Sequence, residues 1–168
     1  MRVTKRLPLA NSKKPERFRP NVVICVINPK GEILLTQNVV RPGHWQFPQG
    51  GVDNGEEYEQ AVRRELYEEV GIKDINIIAI TKNIYSYRLP KRFLLVREDV
   101  AKSGYVGQIQ SLAIAKVDSL RPKLKPDPQE AAATTWVDSK RLINTLHPVR
   151  RSLGKLAMIE LQRLGLTS

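Results

Sequence analysis

Apolar and polar positions along this chain change period several times, and each change marks an element. NVVICVIN, residues 21–28, is an almost unbroken apolar run that predicts a buried strand. PKGE then reads as a turn and EILLTQN as the partner strand. RPGHWQFPQGG is loop, punctuated by Pro42, Pro48, Gly50 and Gly51. Residues 57–69 switch to the helical period, with Val62, Leu66 and Val70 on one arc and Gly71 as the stop. INIIAIT, IYSYRL, FLLVRE, QSLAIAKV and TTWV predict further strands, and the three prolines of SLRPKLKPDPQ predict a loop. From Asp138 the chain turns helical, with Leu153, Leu156, Ala157, Leu161 and Leu164 on one side and Arg151, Lys155 and Arg163 facing solvent. Strands mixed with a central and a terminal helix predict an α/β fold.

The first 18 residues show no sustained period, are basic, and carry Pro8 and Pro15. They read as a flexible arm ahead of a single domain, residues 19–168. A mitochondrial presequence and a phosphate-gripping arm are alternatives to a tail without a role; the prolines oppose the amphipathic helix that a presequence needs. No apolar run reaches the length that spans a membrane. Cys25, the one cysteine, cannot form an internal disulfide and sits in VVICVI as a small core residue, so a cytoplasmic protein is expected. No obligate protein partner is evident.

Charge changes the picture more than composition does. The chain carries a formal net +11, yet residues 53–69 hold seven acids and two bases, a net −5, which leaves +16 on the remainder. An acidic spot within a basic surface suits an anionic ligand held beside bound cations. Excess Lys and Arg that merely aid solubility are the bland alternative.

The acids are ordered. Glu65, Glu68 and Glu69 stand at i, i+3 and i+4, so they share a helical arc of roughly 100° that borders the apolar arc of Val62, Leu66 and Val70. Like charges at that spacing repel, whereas hard oxygen donors on one face are what Mg²⁺ or Mn²⁺ takes. A solvated acidic face is the ordinary explanation of two adjacent glutamates.

The surrounding spacing removes that explanation. From Gly50 the chain runs five residues to Glu56, seven more, then Arg64-Glu65-Leu66-Tyr67-Glu68-Glu69-Val70-Gly71-Ile72. This resembles the Nudix box, with all nine constrained positions of the 23-residue signature present. The resemblance implies the Nudix fold, a mixed β-sheet sandwiched between α-helices. It also implies hydrolysis of a nucleoside diphosphate linked to another group, with Mg²⁺ or Mn²⁺ as cofactor. It assigns Glu65, Glu68 and Glu69 to metal, with the carbonyl near Gly50 as a further ligand. Glu65 and Glu69 are the candidates for the catalytic base. Arg64 and Glu56 become structural partners: a forked guanidinium can hold Glu56 without using up a metal ligand. Gly50, Gly51 and Gly55 are expected to permit the tight turns into the helix, and Gly71 to end it.

Flanking residues narrow the resemblance. RPNVVICVIN, WQFPQGGVDNGE, YRLPKR, GQIQ and Glu130 before Trp136 are similar to the bacterial RNA pyrophosphohydrolase and dinucleoside polyphosphate hydrolase group, from Arg19 to about Leu164. That likeness implies an RNA 5′ end or a dinucleoside polyphosphate as substrate. It also makes Glu130 an added metal carboxylate, and Arg19, Tyr87, Lys91, Arg150 and Arg151 substrate-binding. An idle RNA-binding module is the alternative of another class, which the intact box opposes. Ordinary strand, loop or exposed-helix roles compete at each of these positions. His44 and His147 lack metal-like spacing, and Trp45 and Trp136 read as core anchors. Three departures bear on substrate choice: Ser111-Leu112 follows Gln110 where Lys-Trp is usual, the segment between YRLPKR and GQIQ is long, and Val149 stands where an aromatic is common.

Overall fold

The structure is a computed structural model that describes residues 16–90 and 103–167. Most of the arm, the FLLVRE strand and Lys91 lie outside the described residues.

The long apolar run becomes β1 (Arg17–Ile27), buried without a break from Asn21 to Ile27. Val22, Ile24 and Val26 enter one core, Val23, Cys25 and Ile27 the other. Residue-by-residue alternation in a strand forces this split, so a strand with cores on both sides must be apolar throughout. The core of Val23, Cys25 and Ile27 packs beneath α2 (Ser139–Thr145) and α3 (Arg151–Arg163) through Leu142, Leu146, Leu153, Ala157 and Leu161. The core of Val22, Ile24 and Val26 packs beneath α1 (Tyr58–Val70) through Ala61, Val62, Leu66 and Val70. Helices therefore cover both faces of one sheet.

That sheet is mixed. β2 (Ile33–Asn38), β3 (Trp45–Gln46), β4 (Gln49–Gly51), β5 (Asn76–Arg88), β6 (Tyr105–Lys116) and β7 (Ala131–Val137) complete it in the order β3-β2-β1-β6-β5, with β4 on β1 and β7 on β2. Among the described residues only β1 and β6 pair in parallel, from Arg17 opposite Tyr105 to Ile27 opposite Lys116.

Two details differ from the sequence expectation. The strand starts at Arg17, so Arg17 and Phe18 belong to the sheet and not to the arm. INIIAIT and IYSYRL are one strand, β5, whose pairing with β6 slips between Thr81 and Tyr85. At the slip Asn83 takes a φ of 57°, and its N–H donates to the buried Ser111 Oγ at 3.1 Å. Ser111 thus satisfies a bulge, which gives the departure at that position a local reason. Among the described residues no helix is long and apolar enough to cross a membrane. Burial pushes the Cys25 thiol up to about 12, which leaves it inert as expected of a core residue.

Candidate metal and catalytic site

α1 is capped at one end by Glu57, whose backbone N–H donates to Gln60 Oε1 at 3.0 Å, and at the other by Gly71, with φ 75°. Both ends are closed by local chemistry, so the rotational setting of its carboxylates is rigid. The apolar arc turns inward and separates the three glutamates. Glu69 is 3% exposed and Glu65 8%, while Glu68 is in solvent.

Glu69 is clamped by two other elements. Thr36 Oγ on β2 donates to Oε1 at 2.6 Å, and the Gln49 backbone N–H on β4 donates to Oε2 at 2.9 Å. Burial nonetheless pushes its carboxyl up to about 7, against those two bonds and helped by the charges of Glu130 and Glu65. Glu65 is also raised, by burial first and then by Glu68 and Glu130, with Arg64 opposing. Glu130, immediately before β7, is raised by partial burial, Asp127 and Glu68. Glu65, Glu69 and Glu130 are thus raised by burial and by neighbouring acids across α1 and the loop before β7, and a cation placed among them would relieve each.

Arg64 does more than the expected pairing. Its Nε and Nη2 grip Glu56 at 2.8 and 2.7 Å, and Nη2 also donates to the Gly51 carbonyl at 2.9 Å. Its Nη1, however, reaches Glu65 at 2.7 Å and Glu68 at 3.1 Å. One guanidinium thus holds Glu56 and also spans loop and carboxylates, because all sit within its fork. Glu56 is held below the usual carboxylate range by that fork, and its Oε2 accepts the Asp53 N–H at 2.9 Å.

The glycines need a correction. Of Gly50, Gly51, Gly55 and Gly71, only Gly55, with φ 81°, and Gly71 occupy the left-handed region. Gly50 and Gly51 lie in the ordinary backbone of β4. They are small for another reason: a β-carbon on Gly50 would coincide with the Glu65 carboxyl group, and one on Gly51 would collide with the Arg19 guanidinium. Close approach, and not turning, makes them glycine.

The donor set fits a hard divalent cation in its chemistry: buried, mutually repelling carboxylates that Arg64 only partly compensates. As the side chains stand, no three His, Cys, Asp or Glu among the described residues enclose a metal ion. Arg64, which ties Glu65 to Glu68, occupies donors that a metal would claim.

The other expected residues divide. Arg19, on β1, lays its guanidinium against Gly51. Tyr87 donates its hydroxyl to Gln108 Oε1 at 2.7 Å across β5 and β6. Arg150 stands in a 3₁₀ turn (Pro148–Arg150) and acts on His44, and Arg151 opens α3 with Nε reaching the Leu146 carbonyl. None of their contacts joins the carboxylates.

Several residues escaped the sequence reading. Thr36 is a polar position inside a buried strand, which is the signal that could have found it. Gln110, fully buried, donates to Asn21 Oδ1 at 3.1 Å and Gln49 Oε1 at 3.2 Å, bracing the strand end that holds Glu69. His44 and His147 stack with ring centres 3.9 Å apart, a pairing no spacing suggested. Trp45 and Trp136 each pack against a core, as expected.

Comparison with known proteins supplies a family. The NUDIX domain matches residues 17–156. The chain is 45% identical over 106 residues to a Tolumonas auensis protein named RNA pyrophosphohydrolase, covering 62% of this chain and 59% of that one. It is 38% identical over 136 residues to a Salmonella arizonae protein of the same name, covering 80% and 73%. In fold it is similar to the E. coli dihydroneopterin triphosphate pyrophosphohydrolase, with a TM-score of 0.64 at 17% identity over 85% of this chain and 98% of that one. It is likewise similar to a C. elegans Ap4A hydrolase, with a TM-score of 0.62 at 20% identity over 86% and 98%.

Proposed function

The chain belongs to the Nudix family, and on that premise we propose that it is a divalent-metal-dependent pyrophosphohydrolase acting on the 5′-triphosphate or diphosphate end of RNA. The observation that carries this reading is the buried Glu69, clamped by Thr36 and Gln49 and poised at about 7 beside Glu65 and Glu130. The names of the Tolumonas and Salmonella relatives support the RNA end as substrate. The basic charge outside the acidic window supports a polymeric anion as well. A buried free cysteine and the absence of a spanning helix among the described residues are compatible with the cytoplasm, where we place the reaction.

Bound Mg²⁺ or Mn²⁺, held by Glu65, Glu68, Glu69 and Glu130 with the Gly50 carbonyl, would supply charge neutralisation at the pyrophosphate and a more acidic water. The chain's own residues do the rest. Glu69 or Glu65 accepts the proton of the attacking water. Arg64 keeps α1 and the Gly51 loop in register so that the carboxylates meet substrate together. Arg19 and Tyr87 stand on strands of the same sheet, where they receive the phosphates and the first base. Attack falls directly on phosphorus, with no covalent enzyme intermediate.

A dinucleoside polyphosphate is the second substrate reading, favoured by the fold likeness to an Ap4A hydrolase. The deciding experiment compares kcat/KM for triphosphorylated RNA and diadenosine tetraphosphate under Mg²⁺ and Mn²⁺, with products identified. A clear preference for RNA with pyrophosphate or orthophosphate released supports the proposal; a preference for the dinucleotide sinks it. Glu69→Gln, correctly folded, must lose metal-dependent turnover in either case.

A further inference from the structure

His44 and His147 come from distant parts of the chain, one at the end of the β2–β3 loop and one before the 3₁₀ turn. The His147 backbone N–H donates to the Trp45 carbonyl at 3.0 Å, which seats the turn on β3. The two imidazoles lie 3.9 Å apart and within 9° of parallel. Both ring nitrogens of His44, Nδ1 of His147 and Nε of Arg150 are buried and have no hydrogen-bond partner among the described residues. Buried polar atoms are almost always paired, so four unpaired ones at one junction point to a missing ligand.

Charge states its sign. The groups acting on His44 are His147, Arg150 and the exposed Arg41, all cationic or able to become so. Burial and these neighbours hold the His44 imidazole down to about 4, so it is neutral when nothing is bound. An anion reaching Arg41, Arg150 and His147 would reverse that balance. One imidazole could then take a proton while the other, still neutral, offers its ring face to it. Val40 and Val149, on the two segments that carry these residues, are exposed. None of the charges acting on His44 comes from the metal carboxylates.

We infer that the His44–His147 stack, with Arg41 and Arg150, is a proton-linked binding site for a phosphodiester of the RNA beyond the reacting 5′ end. The unpaired nitrogens of His44, His147 and Arg150 contact the phosphate together with the exposed Arg41, the two imidazoles lying ring to ring beside it. The site lies six residues from Gly50 along the chain, a reach of at most ~20 Å. An internal phosphodiester exists in a polymer and not in a mononucleotide, so this site tells chain from free nucleotide. The inference rests on the RNA reading of the site.

The test uses a 5′-hydroxyl oligoribonucleotide, which lacks the reacting phosphates, so binding is read separately from turnover. Its Kd is measured for the full chain from pH 5.5 to 7.5, with calorimetry in two buffers of different ionisation enthalpy to count protons. The expected result is proton uptake on binding and a Kd weakened about tenfold across that range, as partial linkage to one imidazole gives. His147→Gln and His44→Asn should each flatten the pH dependence while thermal melting shows a folded protein. Arg41→Gln, at an exposed position, should weaken binding and lower its salt slope even if the histidine variants fail to fold. Binding with no proton uptake, or a pH dependence that survives in folded His147→Gln, overturns the site. Loss of RNA turnover with proton-linked binding intact would instead fault the substrate reading alone.

Discussion

The carboxyl group of Glu65 occupies the place where a β-carbon on Gly50 would stand. A metal-face side chain and a loop backbone thus share one volume, and the smallest residue is required for them to meet. The same loop carries Gly55, whose φ of 81° is strained for any other residue but has open space around it. These two glycines therefore respond differently to the same change.

Gly50→Ala should displace Glu65 and cut kcat at least tenfold, while the fold persists. Gly55→Ala should cost about 1 kcal/mol of stability, through the left-handed backbone alone, and leave kcat near normal. Thermal melts and steady-state kinetics on both variants check the contrast; equal loss of activity would contradict it.

Thr36→Val removes the 2.6 Å hydrogen bond that favours ionised Glu69. The carboxyl should then titrate above its present value of about 7, and the acid limb of the metal-free titration should move to higher pH. Nuclear magnetic resonance titration of the glutamate side chains reads the shift directly. An unmoved Glu69 would show that the threonine hydroxyl is not its partner.

Glu69 also links stability to pH. Its folded pKa lies above the unfolded value, so the metal-free fold binds this proton more tightly than the unfolded chain does. The stability from that proton is full below about pH 4.5 and is lost as pH rises through about 7, up to about 3 kcal/mol in all. Denaturant melts in the presence of a chelator should show the decline. Glu69→Gln should remove most of it, and Mg²⁺ should restore stability at high pH.

Arg64→Lys keeps the charge but loses the fork that holds Glu56 and the Gly51 carbonyl together. A loss of about 2–4 kcal/mol is expected, because the half-buried Glu56 would keep an incomplete partner. A variant as stable as the parent would mean that the loop is held elsewhere.

Arg150→Ala combined with Arg151→Ala should weaken RNA binding and flatten its salt dependence, since every phosphate left unneutralised lowers the slope by about 0.7 for a single strand. Filter binding across salt concentrations tests this. An unchanged slope would remove both residues from the RNA path.

Much of the carboxylate site was legible because a helix writes its geometry into spacing. Glu65, Glu68 and Glu69 at i, i+3 and i+4 had to share a side of α1, and Gly71 had to end it. Similar local reasons made β1 readable, since an unbroken apolar run must be covered on both faces. The strand β5 reads as two segments in sequence because Asn83 breaks the alternation, while its pairing partner β6 carries the chain through the slip. Local pattern alone cannot see that repair.

The sequence by itself determined the family, the ligand-bearing helix and the two-faced core, all of which follow from short-range periodicity and fixed spacing. Only the tertiary structure decided that Glu69 is the clamped carboxylate, that Gly50 is small for Glu65, and that His44 faces His147. Each of those depends on which strands and turns meet across the sheet. Such meetings are set by burial and backbone pairing between distant residues, and no neighbouring residue in the chain records them.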